Sequence, residues 1–120
     1  MDDTDMKIAG YGRITKEHIG RRLAAARIAL GKTQEEMSEA AGLDVGVYGH
    51  RERGRTSLSP AEAWSLFESL GVSPTFLLFG DPTALGMMWP RIRAALSVLP
   101  SPESEARPRR GRPPKKLSRA

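Results

Sequence analysis

Three features of the 120-residue sequence predict an all-α fold. Apolar residues recur at helical spacing. These runs are bracketed by residues that cap helix starts and by glycines that end them. No segment alternates apolar and polar side chains as a half-buried strand requires. Ile19, Leu23, Ala26 and Leu30 form one stripe of a helix over 16–30, with Thr15 able to cap it and Gly31 to end it. Thr33-Gln34-Glu35-Glu36 is a capping box that opens a short second helix running to Ala41 and stopping at Gly42. Asp44 can cap a third, which carries Tyr48 and closes at Gly54. Ser59, Pro60 and Glu62 combine an N-cap, a proline at the first helical position and a capping box. Ala63, Leu66, Phe67 and Leu70 then form the apolar face of this fourth helix, and Gly71 stops it. Ser73-Pro74 starts a fifth with Phe76, Leu77, Leu78 and Phe79; 81–86 reads as a loop. Pro90 fits the start of a sixth helix, in which Ile92, Ala95, Leu96 and Leu99 share a face.

Charge divides the chain more sharply than apolarity does. Residues 1–100 hold 12 basic and 12 acidic side chains, whereas 101–120 hold seven basic and two acidic, so the net +5 lies in the tail. Six of the nine prolines fall at or after Pro90. A segment so rich in Pro, Arg and Lys buries too little apolar surface to offset the entropy of ordering, which predicts a disordered tail suited to a polyanion. The predicted organisation is a flexible arm at 1–14, a helical domain at 15–80, a linker with room for an extra helix at 81–100, and the basic tail at 101–120.

The absence of cysteine excludes disulfides and thiolate metal sites. No apolar run approaches the roughly 18–20 residues of a membrane span, and 1–14 lacks the apolar core of a secretory signal. A soluble cytoplasmic protein is expected. The chain has two histidines, His18 and His50, and shows no Gly-rich phosphate loop or paired carboxylates spaced for acid–base work. An enzyme is therefore not expected, nor is a metal or cofactor.

A short capped helix, the turn Ala41-Gly42-Leu43 and another short helix follow the local grammar of a helix-turn-helix. Residues 19–80 resemble the phage-repressor (Cro/C1, XRE-like) family more fully. The resemblance rests on Ile19-Gly20-Arg21-Arg22-Leu23, Arg27, Gly31-Lys32-Thr33-Gln34-Glu35-Glu36-Met37, Ala41-Gly42-Leu43, Glu52-Arg53-Gly54, Leu70-Gly71-Val72-Ser73 and Phe76-Leu77-Leu78-Phe79-Gly80. It implies a five-helix repressor-like domain whose third helix enters the major groove of double-stranded DNA. By the same resemblance Gln34 contacts a phosphate, the alternative being a residue that merely suits a helix start. Arg27 and Glu52 match a pair that bridges two helices. A homodimer and a bacterial or phage source are also implied.

The third helix departs from the family pattern. Long polar side chains that read bases in pairs of hydrogen bonds are usual there, but this chain has Val45, Gly46 and His50. Val45 or Val47 can touch thymine methyls, and Gly46 can admit a close DNA backbone. His50 is either a base contact or an ordinary surface residue. Arg51 replaces an apolar residue, with Tyr48 left to fill the volume, and is expected to reach outward to phosphate with Arg53 and Arg55.

In the tail, Arg109-Arg110-Gly111-Arg112-Pro113-Pro114-Lys115-Lys116 resembles an AT-hook. Gly111 lets the backbone lie deep in a narrow groove, and the flanking Arg110 and Arg112 meet the negative potential of A·T minor grooves. Arg109, Lys115 and Lys116 flank this core as further DNA-binding candidates, although many hooks have Pro where Arg109 stands; the alternative is a generic basic tail. The reading is a nucleoid-associated DNA-binding transcriptional regulator. Two competing readings are a module that contacts RNA polymerase, another regulator or a toxin, and a weakly specific architectural protein.

Overall fold

The computed structural model describes residues 2–102, which are built from helices and turns with no strand among them. Helix α1 is Asp3–Ala9, α2 Lys16–Leu30, α3 Gln34–Ala41, α4 Val45–Glu52, α5 Pro60–Leu70, α6 Pro74–Phe79 and α7 Trp89–Val98. A 3₁₀ turn, Thr83–Met88, precedes α7 where the sequence reading has a plain loop. The predicted caps are the ones used. Thr15, Thr33, Asp44, Ser59 and Ser73 each accept a backbone N–H, and both capping boxes close.

The expected flexible arm at 1–14 is corrected by α1. Asp2 accepts the Asp5 N–H at 3.0 Å, Asp3 and Asp5 lie in the first turn where the helix dipole favours acid, and Gly10 closes the helix. Ala9 is buried, and Arg93 on α7 reaches back to Asp5 at 3.1 Å. The predicted sixth helix is present as α7, with Ile92, Ala95 and Leu96 buried as its periodicity requires. Apart from Ser101 and Pro102, the basic tail with its AT-hook-like motif lies outside the described residues.

The core is shared by all seven helices. Leu23 and Ala26 of α2, Met37 of α3, Tyr48 of α4, Leu66 of α5, Phe76 and Leu77 of α6 and Ile92 and Leu96 of α7 are fully or nearly fully enclosed, with Ala9 of α1 beside them. Trp89 meets Phe76 edge-on at 6.4 Å between ring centres, tying α7 to α6.

At Gly20 and Gly80 the backbones approach so closely that a side chain cannot fit. A Cβ on Gly20 would lie 2.6 Å from the carbonyl oxygens of both Arg51 and Glu52, so α2 can rest against the end of α4 only through a bare backbone. A Cβ on Gly80 would lie 2.5 Å from the Gly10 carbonyl oxygen, where the end of α6 receives the turn after α1. There the Gly12 N–H donates to Phe79 O at 2.8 Å.

Two adjacent arginines of α2 bind the peripheral helices. Arg22 is 1% exposed and donates to the carbonyls of Leu77 (3.0 Å), Leu78 (3.2 Å), Ala9 (3.4 Å), Gly10 (3.1 Å) and Arg13 (2.9 Å). It joins the C-terminal ends of α1 and α6, where the helix dipoles favour a cation. Burial, with Arg21 beside it, pushes the guanidinium down to about 10, which leaves it charged at neutral pH. Arg21 does the same for α7, donating to Leu96 O at 2.7 Å, Leu99 O at 3.2 Å and Pro100 O at 3.1 Å.

Candidate nucleic-acid interface

Gly42 ends α3 and Asp44 caps α4, so only Gly42-Leu43-Asp44 separates the two helices. Their relative position is held by a hub at Glu52. Its carboxylate accepts from Arg27 Nε at 2.8 Å and Nη2 at 3.2 Å, from the Tyr48 hydroxyl at 2.7 Å and from Gln34 Nε2 at 3.0 Å. Burial alone would raise the Glu52 carboxyl, but the hydrogen bonds from Arg27, Tyr48 and Gln34 outweigh it and hold the group below the usual carboxylate value. The Tyr48 phenol is driven upward, first by burial and then by Glu52, and so remains a donor. The expected Arg27–Glu52 bridge between helices is present, and one hub locks α2, α3 and α4 together.

The hub also accounts for Gln34. The first residue of α3 points its amide at the end of α4, and one of its two N–H bonds is committed to Glu52. Tyr48 fills the core, as the sequence reading has it. Arg51 does not extend outward. It forms a two-pronged pair with Glu62, Nε to Oε1 at 2.9 Å and Nη2 to Oε2 at 3.1 Å, while Nη1 donates to Thr56 Oγ1 at 2.6 Å. Glu62 is the residue that closes the α5 capping box, so Arg51 ties the end of α4 to the start of α5. This hydrogen-bonded pairing holds the Glu62 carboxyl below its ordinary value.

Val45, Gly46 and Val47 are exposed at the start of α4. His50 is half-buried, and its Nδ1 is enclosed without a hydrogen-bond partner. Arg53 and Arg55 project from the turn after α4 and are exposed. The Arg53 guanidinium folds over Gly49, where a Cβ would come within 3.1 Å of it. The structure therefore gathers Gln34, Arg53 and Arg55 at one end of α4 and Val45, Gly46 and Val47 at the other. It draws Arg51 away into the scaffold, and Arg109, Arg110, Gly111, Arg112, Lys115 and Lys116 lie outside the described residues.

Residues 23–77 match the helix-turn-helix family. The match takes in just under half of the chain, from Leu23 in α2 to Leu77 in α6. It supports the repressor-like resemblance, most of whose residues it takes in. No curated protein and no solved structure is matched by the chain. Helix α1, the 3₁₀ turn and α7 lie outside the helix-turn-helix match; Arg22 ties the end of α1, and Arg21 the end of α7, to α2.

Sequence reasoning missed these two clamps. Their signal was an adjacent Arg pair beside the apolar positions Ile19 and Leu23 of α2. The helices they bind are distant in sequence, so the carbonyls to be satisfied could not be named beforehand. Also missed was the commitment of Gln34 to Glu52, 18 positions apart. No helix among the described residues is long and apolar enough to cross a membrane, and no cluster of metal-binding side chains occurs among them.

Proposed function

We propose that the chain is a DNA-binding transcriptional regulator that seats α4 in the major groove and sets its basic tail in an adjacent A·T-rich minor groove. The observation that carries this reading is the hub-braced α3–α4 pair, with Arg53 and Arg55 exposed at the end where Gln34 meets Glu52. The family match of the same segment supports it. In this reading Gln34 uses its remaining amide N–H, and the backbone N–H groups beside it, for a phosphate oxygen. Arg53 and Arg55 contact flanking phosphates. Val45 and Val47 touch thymine methyls, Gly46 allows close approach of the DNA, and His50 is the one polar side chain of α4 left for a base edge. So few base-reading groups imply modest sequence preference from α4 alone. The hook-like run around Arg110 and Arg112 adds affinity and a bias for narrow A·T grooves.

A second reading, a protein-contacting module or a homodimer, is favoured by one feature. Trp64 and Phe67 on α5 are 53% and 40% exposed, with ring centres 5.1 Å apart. An exposed aromatic pair of this kind suits a protein contact, with another copy, RNA polymerase or another regulator.

The test is selection from a random duplex library with the full chain and with its Arg110→Ala/Arg112→Ala variant, at two salt concentrations. A shared site enriched by both, more weakly and with less A·T bias in the variant, supports both parts of the proposal. Enrichment of A·T-rich DNA by the full chain alone removes base reading from α4 and leaves the hook as the DNA reader. No enrichment by either overturns the proposal in favour of the protein-contacting reading.

A further inference from the structure

Where the chain leaves the folded domain is set by Arg21. Its three donated bonds hold the carbonyls of Leu96, Leu99 and Pro100, so the end of α7 is pinned against α2. Glu17, Glu52, Arg53, Arg55, Leu99, Pro100 and Pro102 line one groove, which places this exit beside the C-terminal end of α4. That is the end at which Gln34 meets Glu52 and from which Arg53 and Arg55 project.

We propose that Arg21 acts as a positioning residue that delivers the C-terminal tail to one flank of the DNA site, on the same duplex and on the side faced by Arg53 and Arg55. The inference rests on the DNA-binding reading above and adds the direction and reach of the tail. Covalent geometry supplies the bound. Arg110 lies eight residues beyond Pro102. At ~3.3–3.6 Å per residue it therefore lies at most ~28 Å from the exit, whatever path the chain takes. The next minor groove is about half a DNA turn from the centre of the occupied major groove, roughly 17 Å. On the near flank it falls within reach. On the far flank, about half of the ~12 Å length of an eight-residue α4 is added rather than subtracted, so the near flank needs the shorter and less extended path. Charge points the same way. The folded part is formally neutral and the excess of +5 lies in 101–120, so the anchor brings the uncompensated cations to the DNA-facing end. A tether this short holds its second module at a millimolar effective concentration on the same duplex, which favours engagement there over capture of another duplex.

The full chain has no cysteine, so one introduced by Ala106→Cys takes a DNA-cleaving iron chelate at a single place. The chelate sits four residues past Pro102, and cutting is mapped on a duplex enriched by the full chain. The expected pattern is cutting confined to one flank of the DNA site, within about half a turn. Adding Arg21→Ala should abolish this asymmetry while the footprint of the domain persists. Inserting a long Gly/Ser segment after Pro102 should spread the cuts to both flanks. Cutting on the far flank, or evenly along the duplex, overturns the inference. A narrow pattern that survives Arg21→Ala removes Arg21 from the positioning role. If the unlabelled chain protects no duplex from nuclease, the DNA-binding reading fails and takes this inference with it. Protection with misplaced cutting defeats the inference alone.

Discussion

Arginine performs three separate jobs in this chain, and the environment of each residue decides which. Arg22 is enclosed by backbone carbonyls with no carboxylate among its hydrogen-bond acceptors, so it acts as a cross-brace between helix ends. Replacing it with Met should cost about 3 kcal/mol or more, because several buried carbonyls lose their donor at once. Arg22→Lys should recover little, since an ammonium cannot span the same fork of acceptors. Urea unfolding checks both, and a Lys variant as stable as the parent would show that charge rather than shape matters there. Arg51 is a scaffold residue of a milder kind. At an ordinary core site Arg51→Leu would be stabilising. The observed pair with Glu62 and Thr56 reverses that expectation. We expect a loss of about 1 kcal/mol that shrinks in high salt, because both partners keep some solvent contact. A rise in melting temperature would count against the pair. Arg53 and Arg55 have exposed side chains, which suits the phosphate contacts proposed for them.

At the scale of the elements, glycine content has opposite meanings in α2 and α4. Gly20 sits where α2 touches the carbonyls of Arg51 and Glu52, and a methyl group there must force the helices apart. Gly20→Ala should therefore destabilise by about 1–3 kcal/mol net, overpacking outweighing the better helix propensity. The atoms nearest to Gly49 belong to the movable guanidinium of Arg53. Gly49→Ala should raise stability by up to about 1 kcal/mol while displacing Arg53 from the surface of α4. Thermal melts of the two variants should move in opposite directions; shifts of the same sign would refute the assignment. If DNA affinity also falls in Gly49→Ala, the glycine serves the placement of Arg53 at a cost in helix stability.

For the whole molecule, the Glu52 hub makes the assembly of α2, α3 and α4 sensitive to acid. Its folded carboxyl lies below the ordinary value of 4.5. Its contribution is therefore complete above that value and is lost as pH falls through the lower folded one. Glu62 behaves in the same direction through Arg51. Stability should fall steeply below about pH 4.5, and Glu52→Gln should lower stability at neutral pH while flattening that acid slope. Denaturant unfolding between about pH 3 and 7 measures both effects. An unchanged slope in the variant would mean that the hub does not govern acid unfolding. The hub includes Gln34, so the same substitution should also weaken binding to all duplexes alike, in keeping with a phosphate contact rather than a base contact.

The helices between Lys16 and Phe79, their caps and the seat of the excess charge were legible from the residues alone. Each of these is local: a cap needs a residue three positions away, a helix face needs three or four, and a charge run needs only its neighbours. The spacing of Ile92, Ala95 and Leu96 likewise made α7 visible. The seven-residue α1 escaped because a helix so short is held chiefly by what it packs on, here Arg22, Arg93 and the core beside Ala9. The partners of the polar side chains at the candidate site emerged from the packing of the helices. Arg51 met Glu62, Gln34 met Glu52, and Arg21 met the end of α7 because folding brought together groups 11, 18 and more than 70 positions apart. A polar side chain has several partners open to it in a sequence. Burial selects among them, because a donor or acceptor removed from water must find whichever partner the packed helices place within reach.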